Sequence, residues 1–256
     1  MTSVRRLVDA VAARTLRAHG FSGTMPVDVG ALAYGLGIDA EEVEMAESGR
    51  LHPGPHRAKV YLNRREPLER RRFTLAHEAS HWLLRGPLPA DELARRVRGG
   101  RVSEEYVCDK LAGALLMPRA AVRERLGPRT RTLDAVRDLA REAIVSPAAA
   151  LVRLRDVLDW RSTLVQWVLE GGRWTFAEEA GLLPGQQGMI RTLETTRAQL
   201  TSLAAVPGRT VQPLHVGYGT GEAWLLADVE VRAGRALALI MLPGAWDDQL
   251  PRMRAA

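Results

Sequence analysis

The segment Arg72-Phe73-Thr74-Leu75-Ala76-His77-Glu78-Ala79-Ser80-His81-Trp82-Leu83-Leu84 carries two histidines four residues apart, with a glutamate directly after the first. Its apolar residues recur at helical spacing, and Gly86-Pro87 predicts where the helix stops. On a helix, residues four apart lie one turn above another on the same face, so His77 and His81 can offer ring nitrogens to a single divalent ion. Glu78 lies about 100 degrees around the axis, close enough to reach a water beside the ion without being a ligand. The chemistry these three residues suit is metal-assisted hydrolysis. Zinc held by three protein ligands keeps a fourth position for water and lowers its pKa toward neutrality, and a nearby carboxylate can then take the proton. Glu78 is the expected general base.

Two imidazoles do not complete such a site, so a third ligand has to come from another element. Ser103 to Pro118 reads as a second helix, capped by Ser103 and closed by Pro118. Glu105, Asp109, Ala112 and Leu116 share one face of it. Glu105 is therefore the expected third ligand, and Asp109 the residue that holds the distal ring nitrogen of a liganding histidine, expected to be His77. Glu104 is the rival ligand. Its neighbour one turn on is Cys108, which supplies no carboxylate to orient a histidine, so Glu105 is preferred. The small Ala112 and Ala114 let this helix approach the histidine helix, with Val107, Leu111 and Leu115 filling the core. His19, His52 and His56 read as surface or loop residues.

What must position these helices is a chain of 256 residues with ordinary apolar content, long enough for one large domain or two modest ones. No apolar run approaches the roughly 20 residues that span a bilayer, and the longest clean stretch, Ala236 to Leu242, has the length of a strand. Val4, Leu7, Val8, Val11, Ala12 and Leu16 fall at helical spacing, which reads as an amphipathic helix and not a signal peptide. The single cysteine, Cys108, excludes an intramolecular disulfide and a thiolate zinc finger, and a reducing cytoplasm is the expected location. The net charge of +6 is almost all arginine, since Lys59 and Lys110 are the only lysines. The cluster Arg70 to Arg72 is offset by Glu66 and Glu69, so charge alone does not predict nucleic-acid binding.

The expected fold class is α+β, in three regions. Residues 1–131 form a mainly helical domain carrying the two candidate metal-binding helices, broken by the extended piece Lys59 to Asn63, which is expected to be an open edge where an extended substrate segment can add as a strand. Residues 132–160 form two helices joined by a tight turn, with Ser146 as N-cap and Pro147 as first helical residue. Residues 161–256 form a small sheet-and-helix domain. Its expected strands are Thr163 to Leu169, Trp174 to Phe176, Val211 to Val216, Glu222 to Val231 and Ala236 to Leu242, with hairpin turns at Gly171-Gly172 and Ala233-Gly234. Gln187 to Leu203 carries a helical pattern, and His215 and Tyr218 read as loop residues of a Gly-rich turn.

In combination these segments resemble the ImmA/IrrE family of metallopeptidases, named for an immunity-repressor protease and a radiation-response regulator. The likeness rests on Leu32 to Ile38, Val60-Tyr61-Leu62-Asn63, Arg72 to Glu78, the Glu105 to Asp109 pattern, Leu115-Leu116-Met117-Pro118 and the helix-turn-helix-like stretch Leu139 to Leu154. It covers roughly residues 25 to 158. The resemblance implies a zincin-like domain in which His77, His81 and Glu105 hold Zn2+, or alternatively Mn2+, and Glu78 is the base. It also implies a protein substrate, a helix-turn-helix transcriptional repressor whose cleavage would derepress stress, DNA-repair or mobile-element genes. Ser80 stands where the family often has glycine. Residues 161–256 look like the GAF-type sensor domain of the radiation-response branch.

Two other classes of reading compete. A DNA-binding regulator with a structural metal would use residues 132–160 as its reader, but Pro147 to Leu158 is rich in alanine and leucine, with Arg153 and Arg155 as its only basic residues. That composition suits packing more than base recognition. An interaction scaffold with an idle site is the third reading, and the intact His77, Glu78, His81 and Glu105 argue against it.

Overall fold

The computed structural model describes residues 4–21, 23–85, 92–126, 131–180 and 188–243. They form an α+β chain that divides into two compact units, Met1–Arg129 with Arg137–Arg153 and Thr130–Val136 with Leu154–Ala256. The predicted helix end at Gly86-Pro87 lies outside the described residues.

In the first unit, α1 (Val4–Ala18) and α2 (Val29–Gly35) precede β1 (Ile38–Val43), β2 (Gly49–His52) and β3 (Ala58–Asn63), followed by α3 (Leu68–Arg85), α4 (Glu92–Arg98), α5 (Glu104–Leu116) and α6 (Arg119–Leu126). The three strands are ordered β1-β3-β2. β3 runs parallel to β1, from Ile38 opposite Ala58 to Val43 opposite Asn63, and antiparallel to β2, from Gly49 opposite Leu62 to His52 opposite Lys59. Lys59 to Asn63 is therefore not the open edge expected from sequence, because both its sides are paired. The outer strands were hidden by their composition. In β1 only Ile38 is buried, and β2 alternates half-buried with exposed residues over only four positions, too short a run for the period-two pattern to stand out in sequence.

β3 is central because its buried residues Ala58, Val60 and Leu62 need cover, and α3 supplies it, packing on β3 and β2 on one side and on α5 on the other. Between α3 and α5 the core is closed by Leu83, Leu84, Val107, Leu111 and Leu115, with Val8, Val11 and Leu16 of α1 completing it. Arg72 anchors the first turns of α3. Its guanidinium donates to the carbonyls of Val27 (2.8 Å), Ala143 (3.3 Å) and Ile144 (3.2 Å). Burial pulls the pKa of Arg72 down against the opposing charge of Asp28.

The two helices expected at 132–160 are α7 (Leu133–Ala143) and α8 (Pro147–Leu158), and the Ser146 hydroxyl accepts from Ala149 N at 3.2 Å as an N-cap should. Each of these helices is divided between the two units, and the second unit continues with β4 (Ser162–Glu170), β5 (Arg173–Ala180), β6 (Ile190–Arg191), α9 (Glu194–Ala204), β7 (Gly208–Tyr218), β8 (Gly221–Arg232) and β9 (Arg235–Met241). The strands form one antiparallel sheet ordered β5-β4-β9-β8-β7-β6, with a core of Trp167, Trp174, Leu200, Leu214 and Val229. Positive φ angles at Gly171 and Gly172 (56° and 79°) and at Ala233 and Gly234 (47° and 72°) close the two predicted hairpins.

Two expectations for this unit are corrected. The helix begins at Glu194, and Ile190 and Arg191, which were read as part of it, pair with Tyr218 and Gly217. His215 and Tyr218 belong to β7 and not to a loop. Gly217 reads as a turn residue but is there for space, because Arg191 crosses directly over it and a Cβ would come within 2.8 Å of the Arg191 Cβ.

Candidate metal centre

α3 is continuous through both histidines, so His77 and His81 project from one face a turn apart. Their Nε2 atoms lie 3.1 Å from each other. Glu105 reaches across from the first turn of α5, placing Oε2 at 3.3 Å from His77 Nε2 and Oε1 at 3.4 Å from His81 Nε2. Ligand bonds of about 2.0–2.2 Å at tetrahedral angles separate donor atoms by about 3.3–3.6 Å. The histidine separation and the approach of one Glu105 oxygen to each ring are close to that spacing, so two imidazoles and a carboxylate are placed to share a zinc-sized ion. Metal-ligating geometry is matched by donor chemistry, two imidazoles and a carboxylate.

The far side of each ring is held by a carboxylate of α5. His77 Nδ1 lies 2.9 Å from Asp109 Oδ1, and His81 Nδ1 lies 2.7 Å from Glu104 Oε1. An ionised carboxylate only accepts, so each Nδ1 donates, and each Nε2 is left with a lone pair aimed inward. Arg85, at the end of α3, donates from Nε to the same Glu104 oxygen at 3.0 Å. Burial raises the Glu104 pKa, but the hydrogen bonds from His81 and Arg85 and their charges outweigh it and hold the carboxyl below its ordinary range. For His77, burial disfavours the charged ring, yet the hydrogen bond to Asp109 and the charges of Asp109, Glu78 and Glu105 prevail and raise its pKa.

All the site residues read from sequence meet here: His77, His81 and Glu105 face one point, Asp109 sits behind His77, and half-buried Glu78 adds its charge to the cluster. What sequence reasoning missed is Glu104, treated only as a rival ligand. The available signal was Arg85, one turn beyond His81 and on its face, where it waits for a carboxylate. Among the described residues the other group with metal-compatible donors is His81, Glu104 and Cys108. Cys108 is fully buried, and burial, then the charges of Glu104, Glu105 and Asp109, push its thiol pKa up. A protonated thiol is a poor ligand, so this shift works against Cys108 as a donor. His215 takes no part: it stacks on Trp224 at 4.8 Å and pairs with Thr195 Oγ1 at 2.8 Å.

Residues 37–155 match the model of the IrrE N-terminal-like domain, a peptidase family. The matched segment contains the histidine helix and the glutamate helix alike. The chain is 35% identical over 150 residues, 56% of its length, to the radiation response metalloprotease IrrE of Deinococcus deserti. It is 36% identical over 111 residues, 40% of its length, to that of Deinococcus radiodurans. It spans about half of the first relative (52%) and about a third of the second (32%). A solved Mycobacterium tuberculosis transcriptional regulator shares the fold, with a TM-score of 0.50 over 93% of this chain and 79% of that one, at 14% identity.

Proposed function

We propose that this chain is a zinc-dependent endopeptidase that cleaves a helix-turn-helix transcriptional repressor and so derepresses stress, DNA-repair or mobile-element genes. The observation that carries the reading is the convergence of His77 Nε2, His81 Nε2 and the Glu105 carboxylate at separations of 3.1 to 3.4 Å. His77, His81 and Glu105 would hold the ion, which when bound supplies Lewis acidity to water and to the scissile carbonyl. Glu78, next to His77 on α3, takes the proton from the attacking water and later delivers it to the leaving amine. Asp109 holds the His77 ring in the tautomer that leaves Nε2 free. An extended substrate segment would add to an outer strand of the sheet. β2 is the nearer to the histidines, because Gly49 lies against Thr74, one turn ahead of His77. The second unit, whose antiparallel sheet has helix α9 against β7, is read as a GAF-like sensor.

A cytoplasmic setting goes with this reading. No described helix is long and apolar enough to cross a membrane. The DNA-reader alternative is disfavoured by burial, since Arg153 and Arg155, the only basic residues of α8, are 3% and 7% exposed. The test is the purified protein with zinc and the repressor encoded nearest to it. Glu78→Gln is expected to lower cleavage by about 10²–10⁴-fold while one metal per chain is retained. Undiminished cleavage by this variant overturns the base assignment.

A further inference from the structure

We propose that Glu104, gripped by Arg85, is a positioning residue that sets the affinity of the metal centre through His81. The inference rests on the metal-centre reading above. The two histidines are not held alike. Asp109 reaches His77 from a side chain 60% exposed, whereas Glu104 is 33% exposed and His81 9%. The shorter bond is also the deeper one, 2.7 Å at His81 against 2.9 Å at His77.

Three features make the Glu104 carboxylate a fixed one. It sits in the first turn of α5, beneath the Ser103 cap, where the helix dipole favours negative charge. Arg85 closes the last turn of α3, where a cation is favoured for the same reason. Both Arg85 Nε and His81 Nδ1 meet one oxygen, Glu104 Oε1, at 3.0 and 2.7 Å. The end of one helix and the start of the other are thus joined through the atom that orients the ring. With Nδ1 donating to Glu104, the His81 lone pair can only lie on Nε2, facing His77 and Glu105. Without Glu104 the ring is free to change tautomer or rotate, and one of the three donors is lost for part of the time.

The experiment is competition for Zn2+ against a chromophoric chelator, on the full chain, with thermal melting of the metal-free protein beside it. Glu104→Ala is expected to weaken zinc binding about 10–100-fold and to shift the visible absorption of the Co2+-substituted protein. Glu104→Gln, which still accepts from Nδ1, should recover most of that loss. Arg85→Met should show a smaller loss than Glu104→Ala. The metal-free melting temperature should move little in Glu104→Gln and Arg85→Met, which separates positioning from a purely structural tie. Wild-type zinc affinity and cobalt spectrum in Glu104→Ala, with Glu105→Ala no longer binding, overturn this inference and leave the centre standing. Absence of stoichiometric zinc binding by the wild type overturns both.

Discussion

His77 and His81 bring their Nε2 atoms to 3.1 Å of each other while their Nδ1 atoms are tied to Asp109 and Glu104 on the neighbouring helix. Two inward lone pairs at that distance repel unless a proton or a cation lies between them. The same pair therefore governs how the protein responds to acid and to metal.

In the metal-free protein the folded-state pKa of His77 is above its ordinary 6.5. A raised pKa means the protonated ring stabilises the fold; that contribution is complete below the ordinary value and disappears as pH rises through the folded value. Metal-free melting temperature is expected to fall as pH rises above 6.5, and Asp109→Asn should flatten the trend. Zinc competes with the same proton, so zinc affinity should rise over the same interval. Melts in chelator and in excess zinc, taken at several pH values, read both slopes. A metal-free protein that melts higher as pH rises through this window contradicts the assignment.

Asp228 is fully buried and accepts from Leu133 N at 2.7 Å and from Arg209 Nε at 2.6 Å. Arg209 also pairs with Asp134, and its pKa is raised, chiefly by Asp228. Removing the carboxylate strands the Leu133 amide and leaves the guanidinium with Asp134 as its remaining carboxylate partner among these contacts. Asp228→Ala should destabilise the second unit by about 3 kcal/mol, read by urea unfolding, and leave zinc affinity unchanged.

A methyl group at Gly49 would run into the γ-methyl of Thr74 on the histidine helix. Threonine is stiff at χ1 on a helix and cannot swing aside freely. Gly49→Ala is expected to cost about 1–3 kcal/mol, and the double variant Gly49→Ala with Thr74→Ser should regain most of it. A non-additive double-mutant cycle is the expected signature; simple additivity would remove the contact from the explanation.

Cys108 is fully buried, with its thiol pKa pushed upward. It should resist alkylation by iodoacetamide at neutral pH in the folded protein and react at once in urea. Rapid modification of the folded form would show an exposed thiolate.

The sequence was most readable where periodicity and chemistry coincide. The spacing of His77 and His81, and of Glu105 and Asp109, needs only helices to bring each pair to one face, and the apolar stripe Val107, Leu111 and Leu115 says which way α5 turns. β1 and β2 were hidden because their strand character comes from pairing with β3, not from residues of their own that seek burial. Glu104 was misjudged for a related reason. Its contact with His81 depends on how the end of α3 meets the start of α5, and no local pattern encodes that approach. Gly217 looked like a turn because glycine there answers Arg191 on another strand, a demand invisible along the chain.

Cys108 is not among the donors grouped as His77, His81 and Glu105, so that cage offers nitrogen and oxygen and nothing soft. Such a cage follows the general rank of divalent first-row ions and has little means of rejecting a close competitor. Which ion such a cage would take then depends on supply as much as on affinity, so the balance of zinc and manganese around the chain would itself act as an input with no separate receptor.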